Sequence, residues 1–311
     1  MSKRIAIQVF SDIHLELLSK NTYSKLIKCF VPKSDYLFLA GDITKVSHPS
    51  CKDFFQYCNA TWKKTFYVMG NHEYYNNKNT FHSLSSIKAS FTKLLEEQEL
   101  DNIFFLDDQE AHLQDNIYVL GSTFWTKPDF TFLSDFTSLS DFTSLSDFTS
   151  LSDFTSLSDY NRLMDYHSIY IGNPCRLITP NDVLDLHSKN YNFLQNNLSS
   201  SSNLKKQYIV MTHFPPQRTG TSHPKYAEQL YYIKEYFAHP DTTINDLILS
   251  SSNSSSNSSS NILCWISGHT HYSYDFTNKS NNVRLISNQV GYKHECIINM
   301  SGLDLDGVYI I

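Results

Sequence analysis

Residues 262–271 read ILCWISGHTH, and the fold turns on how they are interpreted. The first six are mostly apolar and fit a buried strand; the last four are Gly268, His269, Thr270 and His271. Two histidines one residue apart, delivered straight off a strand, suit a turn, a proton shuttle or half of a metal site. The rest of the chain repeats the arrangement. IAIQVF runs into Asp12 and His14, YLFLA into Gly41-Asp42, and TFYVM into Gly70-Asn71-His72-Glu73. QYIVM runs into Thr212-His213, and ILCWI into the histidine pair. In open α/β sheets, ligands bind beyond the carboxyl ends of the strands. Gly41, Gly70 and Gly268 suit sharp turns at those ends.

Each motif is ordinary by itself. A strand-end Asp commonly caps a helix or a turn, and Asn accepts left-handed backbone. The information lies in the ordered set. Asp12, His14, Asp42, Asn71, His213, His269 and His271 offer carboxylate, imidazole and amide donors, with no thiolate among them. Such donors suit Mn, Fe or Zn. Seven are too many for one tetrahedral ion, but they suit two ions sharing a carboxylate. Two divalent ions about 3.5–4 Å apart can activate a water and clamp the oxygens of an in-line displacement. That is the chemistry of phosphoester hydrolysis.

The bulk properties agree. At 311 residues, 41% hydrophobic and 14% aromatic, the chain can bury a sizeable core. Its net charge of −6 gives no electrostatic footprint for a nucleic-acid polymer or a membrane surface. The N-terminal apolar run is too short for a signal-peptide core, and no stretch approaches a membrane span. The six cysteines form no CxxC pair, so a reduced, cytoplasmic protein is expected.

Helices and strands alternate along the chain. Phe81, Leu84, Ile87, Phe91, Leu94 and Leu95 fall at helical spacing. Thr179-Pro180 followed by Asp182 is a helix-entry signal, and YAEQLYYIKEYF reads as a third helix. The pattern predicts sheets covered by helices in a single domain over 1–311, with two low-complexity insertions. The first, at 134–159, repeats SDFTSL with Phe or Leu at every third residue. That period drifts about 60° per step around a helix and alternates faces in a strand, so it reads as a surface insertion that loops tolerate. The second, the Ser/Asn tract at 250–261, reads as a polar loop.

The series Asp12-x-His14, Gly41-Asp42, Gly70-Asn71-His72-Glu73, His213 and Gly268-His269-Thr270-His271 resembles the calcineurin-like metallophosphoesterase superfamily, especially its small single-domain members. The resemblance implies an α/β fold of two mixed β-sheets packed as a sandwich and flanked by helices. It implies one metal held by Asp12, His14, Asp42 and His271. The second would be held by a bridging Asp42 with Asn71, His213 and His269. His72, paired with Asn71, would sit nearest the leaving group as general acid or phosphate-oxygen donor. A small phosphoester, monoester or diester and with room for a nucleotide-like one, is the implied substrate.

VRLISNQVGY matches the strand and turn that follow GHxH in the superfamily, and SDYNRLMDY resembles a segment near the active-site rim. Gln289 and Val290 replace the Pro-Arg of an Asn-Pro-Arg-Gly-Tyr-like turn, so an arginine is missing there. GDITK lacks the Asp-Arg-Gly extension of Ser/Thr protein phosphatases, and Lys45 stands where purple acid phosphatases carry a ligating Tyr. The competing reading is a scaffold or protein-interaction module that keeps the fold and has lost catalysis. Such proteins lose ligands, above all the histidine of the Asn-His pair, and every one is present here.

Overall fold

Along residues 36–40, YLFLA, every side chain is buried, yet neighbours serve different cores. Tyr36, Phe38 and Ala40 point one way and Leu37 and Leu39 the other, as the two-residue period of a strand requires. A strand apolar on both faces belongs in the middle of a layered α/β structure. The computed structural model describes residues 4–76, 81–127, 163–199, 205–227, 234–249, 261–292 and 301–311.

The first sheet contains β1 (Ala6–Phe10), β2 (Tyr36–Ala40), β3 (Lys64–Val68) and β4 (Ile103–Phe105), paired in parallel in that order. The second contains β5 (Gln109–Gln114), β6 (Ile117–Ser122), β9 (Gln207–Thr212), β10 (Ile262–Ile266), β11 (Tyr274–Thr277) and β12 (Arg284–Ser287). A short hairpin, β7 (Tyr170–Ile171) with β8 (Arg176–Leu177), stands apart. The last strand, β13 (Val308–Ile310), pairs antiparallel with β1. In the second sheet β6, β9, β10 and β12 run parallel, while β5 and β11 are antiparallel edges. Both large sheets are therefore mixed.

Ile7, Val9, Phe38 and Val68 from the first sheet meet Val119, Met211 and Ile266 from the second in a shared inner core. Leu37, Leu39 and Tyr67 face outward, under Phe54, Phe55 and Phe91 from the helices Pro49–Thr61 and Leu84–Glu97. Leu120, Val210 and Trp265 are covered by Leu194 and Leu198 of the helix Pro180–Ser199 and by Ile244 and Leu247 of the helix Thr243–Leu249. The expected four layers are present. Each such fully buried side chain contributes about 1.5–3 kcal/mol.

Helix entries follow local chemistry. Ser83 accepts from the Ser86 N–H at 3.3 Å at the head of Leu84–Glu97. Thr179 and Asp182 cap each other reciprocally, Asp182 accepting from the Thr179 N–H at 2.8 Å. Of the helix expected at YAEQLYYIKEYF, the described ends are helical, Pro224–Ala227 and Lys234–Phe237, and 228–233 lies outside the described residues. The hexapeptide repeat and the Ser/Asn tract up to residue 260 also lie outside them. Cys29, Cys51, Cys58, Cys175 and Cys264 are free thiols. Among the described residues no helix is long and apolar enough to cross a membrane.

Candidate active site

Main-chain bonds stitch the loop leaving β1 to the one leaving β2, and the loop leaving β9 to the one leaving β10. Asp12 N–H donates to the Gly41 carbonyl at 3.0 Å, His14 N–H to the Asp42 carbonyl at 3.0 Å, and Gly268 N–H to the His213 carbonyl at 2.9 Å. The turns that aim the side chains are strained. Asp12, His14, Asp42, His269 and His271 have φ between +50° and +75°, a left-handed region that costs non-glycine residues of order 1–3 kcal/mol each. Half of the ten described non-glycine residues with positive φ are thus candidate ligands. Gly41, at φ +89°, accepts such a turn freely. Gly70 is needed for space: a Cβ there would run into Asp42 Oδ1 and the His213 ring.

All seven residues singled out as ligands come together. His14 Nε2 lies 3.1 Å from His271 Nε2, and His271 Nε2 lies 3.6 Å from Asp12 Oδ1. His213 Nε2 lies 3.6 Å from Asp42 Oδ1, 3.1 Å from Asn71 Oδ1 and 3.2 Å from His269 Nδ1. Three groups place one donor atom per residue within 4.8 Å of each other: Asp12, His14 and His271; Asp12, Asp42 and His213; His14, Asp42 and His72. His269 is in none of these groups and joins through His213.

The donor set fits a cation. His213 Nδ1 sits 2.8 Å from the Ala40 carbonyl oxygen, which can only accept, so that nitrogen carries the proton. Burial holds the ring neutral, its pKa pushed down to about 3. Its Nε2 therefore presents a lone pair. Asn71 Nδ2 is engaged as a donor to Asp165 Oδ1 at 2.9 Å, so Asn71 Oδ1 is an acceptor too. Two acceptors face each other at 3.1 Å with a carboxylate beside them, an arrangement that a positive ion between them would satisfy.

Electrostatics concentrates the demand. Burial, then the neighbouring carboxylates of Glu73, Asp12 and Glu16, raises Asp42 well above the ordinary carboxylate range. Burial also raises Asp12. Asp42 pairs with His14 and His213, whose charge burial suppresses, and Asp12 pairs with His271. A divalent cation would return both carboxylates to the ionised form.

Glu73 is a brace. It is 2% exposed and accepts from the backbone N–H groups of Asp42, Ile43 and Gly70 and from the Tyr67 hydroxyl, at 2.7–3.0 Å. It ties the β2 loop to the β3 loop. His72 stands at the rim. Its N–H donates to Asp42 Oδ1 at 2.9 Å, and its ring stacks on Tyr75 with centroids 4.3 Å apart. Its Nδ1 lies 3.6 Å from Glu16 and its Nε2 3.2 Å from the Tyr292 hydroxyl. Glu16 also approaches His14 Nδ1 at 3.5 Å. Burial pushes Glu16 up, but the two histidines outweigh it and hold the carboxyl down to about 2.

Sequence reasoning passed over Glu16, Tyr75, Asp165 and Tyr236. Glu16 stands two residues beyond His14 in SDIHLE, a spacing that could have marked it. Asp165 lies inside the SDYNRLMDY segment already set at the rim, and Tyr236 inside the expected helix YAEQLYYIKEYF. Gln289, one position before Val290, which replaces the arginine, is fully buried. It donates to Thr270 Oγ1, the Tyr272 carbonyl and Ser287 Oγ, bracing the GHTH loop.

A family model described as calcineurin-like phosphoesterase matches residues 5–273. The chain belongs to the calcineurin-like phosphoesterase family. An uncharacterized protein of Acanthamoeba polyphaga mimivirus is 28% identical over 297 residues, which cover 93% of this chain and 92% of that one. Among solved structures, phosphopantetheinyl hydrolase from Mycobacterium tuberculosis superposes with a TM-score of 0.62 at 13% identity. That superposition covers 98% of this chain and 95% of the other, and it shows a shared fold. Phosphoester hydrolysis is thus the activity class of the family, and candidate metal-binding groups stand at the expected strand ends.

Buried neutral histidines link the stability of the fold to pH. Burial lowers His14 to about 4, and His213 and His239 to about 3. Between those values and the unfolded pKa near 6.5, the unfolded chain binds protons that the native state does not. These histidines therefore subtract stability as pH drops through that window, while the raised Asp12 and Asp42 carboxyls, which take up protons first in the native state, add to it. Each histidine removes up to about 1.4 kcal/mol per pH unit. Chelator-treated His239→Gln protein should lose less melting temperature between pH 6.5 and 4.5 than the parent does; equal losses would contradict the burial argument.

Proposed function

We propose that the chain is a two-metal phosphoesterase that hydrolyses a small phosphomonoester or phosphodiester, a nucleotide-like one included. The observation that carries this reading is the pair of facing acceptors, His213 Nε2 and Asn71 Oδ1, beside the Asp42 carboxylate. Asp12, His14, Asp42 and His271 would hold one ion, and Asp42, Asn71, His213 and His269 the other, with Mn, Fe or Zn as suitable metals. Bound there, the ions supply an activated water and neutralise the phosphoryl oxygens.

The protein's own groups do the rest. Asp42 has one carboxylate oxygen pinned by the His72 N–H, which fixes how it is shared between the two halves of the site. Glu16 and Tyr292 hold the His72 imidazole from opposite ends, where it can give a proton to the departing oxygen. With Val290 at the position of the superfamily's arginine, that position contributes no cation to the phosphate.

Protein supplied with Mn should carry close to two ions per chain and hydrolyse at least one of p-nitrophenyl phosphate, bis-p-nitrophenyl phosphate or a cyclic nucleotide. Asp42→Ala should lower the metal content sharply and abolish turnover. Wild-type protein that bound well under one ion per chain, or left the whole panel intact, would sink the reading.

A further inference from the structure

An asparagine ligand has a problem that a carboxylate does not: one end of its amide can meet a cation and the other cannot. In Asn71 the Nδ2 end is crowded by three oxygens, Asp165 Oδ1 at 2.9 Å, the Tyr75 hydroxyl at 3.1 Å and the Tyr236 hydroxyl at 3.3 Å. The Tyr75 hydroxyl itself donates to Asp165 Oδ1, so its oxygen is left to accept from the amide. Asn71 and Asp165 are 2% and 1% exposed, so water is not at hand to replace these partners.

The alternative orientation is cheap in the metal-free protein unless something forbids it. Turned over by 180°, the amide would offer Nδ2 to the His213 lone pair and make an ordinary hydrogen bond. That would remove the lone-pair contact at 3.1 Å, and it would also point a donor at the place a cation should occupy. What blocks the flip is the far side, where Oδ1 would then face Asp165 Oδ1 and the Tyr75 oxygen, whose hydrogen is already given to that carboxyl.

We propose that Asp165, backed by Tyr75 and Tyr236, is a positioning residue that locks the Asn71 amide with Oδ1 toward the cation site. This rests on the two-metal reading. Asp165 touches no proposed metal position itself. It acts through Asn71, and so on only one of the two ions.

The test is a Mn titration of metal-free protein by calorimetry, with unfolding monitored in parallel. In Asp165→Leu, one ion should bind about 10–100-fold more weakly than in the parent, as expected when a partner orienting a ligand is removed, while the other is unchanged. Asp165→Asn keeps an oxygen for Nδ2 and should bind both ions as the parent does. If Asp165→Leu does not fold, the double variant Tyr75→Phe/Tyr236→Phe strips two of the three acceptors and takes its place. Parental affinity for both ions in the variant overturns the proposal. So does an equal loss at both sites accompanied by a lower melting temperature, which marks a merely structural role. A parent that itself fails to take up two ions would instead overturn the two-metal reading, so the two failures are told apart by which protein shows them.

Discussion

In His72→Ala, turnover falls by about 10²–10⁴-fold while both metal ions stay bound, the range for loss of a positioned general acid. The expectation comes from placement. His72 follows Asn71 off β3 and stands 15% exposed at the rim, steadied by Tyr75, Glu16 and Tyr292. A group that protonates the departing oxygen matters most when that oxygen is a poor leaving group. The loss should therefore be large for an alkyl phosphoester and small for p-nitrophenyl phosphate, whose phenolate departs unaided. The ring also reaches within 4.8 Å of His14 and Asp42 donor atoms, so it has the option of serving as a ligand. Metal analysis of the variant separates the roles. Loss of the ions together with activity, or equal losses for both leaving groups, would reject the acid role.

Glu73→Ala should unfold the protein at markedly lower temperature even without metal. The substitution strands three backbone N–H groups and the Tyr67 hydroxyl in a buried place. Each orphaned donor costs about 1–3 kcal/mol before relaxation, and loss of a comparable buried charged centre costs about 3–5 kcal/mol in total. In a protein of 311 residues that corresponds to a melting temperature lower by roughly 5–8 °C. Glu73→Gln keeps one acceptor and should fall between. A shift under about 2 °C for Glu73→Ala would mean the loops hold their form without it. Because Glu73 ties the Asp42 turn to the Gly70 turn, metal affinity should fall along with stability, unlike in His72→Ala.

How much could be read in advance differs from element to element. The seven strand-end residues were legible because buried parallel strands are continuous apolar runs, and a polar residue at the end of each is conspicuous. The edge strands were not. β5, QEAHLQ, is largely exposed, and β11 and β13 are four and three residues long, so they carry neither an apolar run nor a clear alternation. The helix Pro49–Thr61 was also passed over, although His48 caps it and Pro49 opens it.

The local sequence determined which strands are buried on both faces, where they stop, and which donor atoms they deliver there. Strand period, turn chemistry and residue type act over a few residues, so they can be read without a fold. Only the tertiary structure decided which end of the Asn71 amide faces inward, since Asp165 lies 94 positions away along the chain. It likewise decided that Glu73 serves four donors and that Gln289 turns into the core, because a hydrogen-bond partner across a loop leaves no periodicity in the sequence. ILCWISGHTH announced its two histidines; that His269 meets His213, and His271 meets His14 and Asp12, followed from two sheets closing on each other.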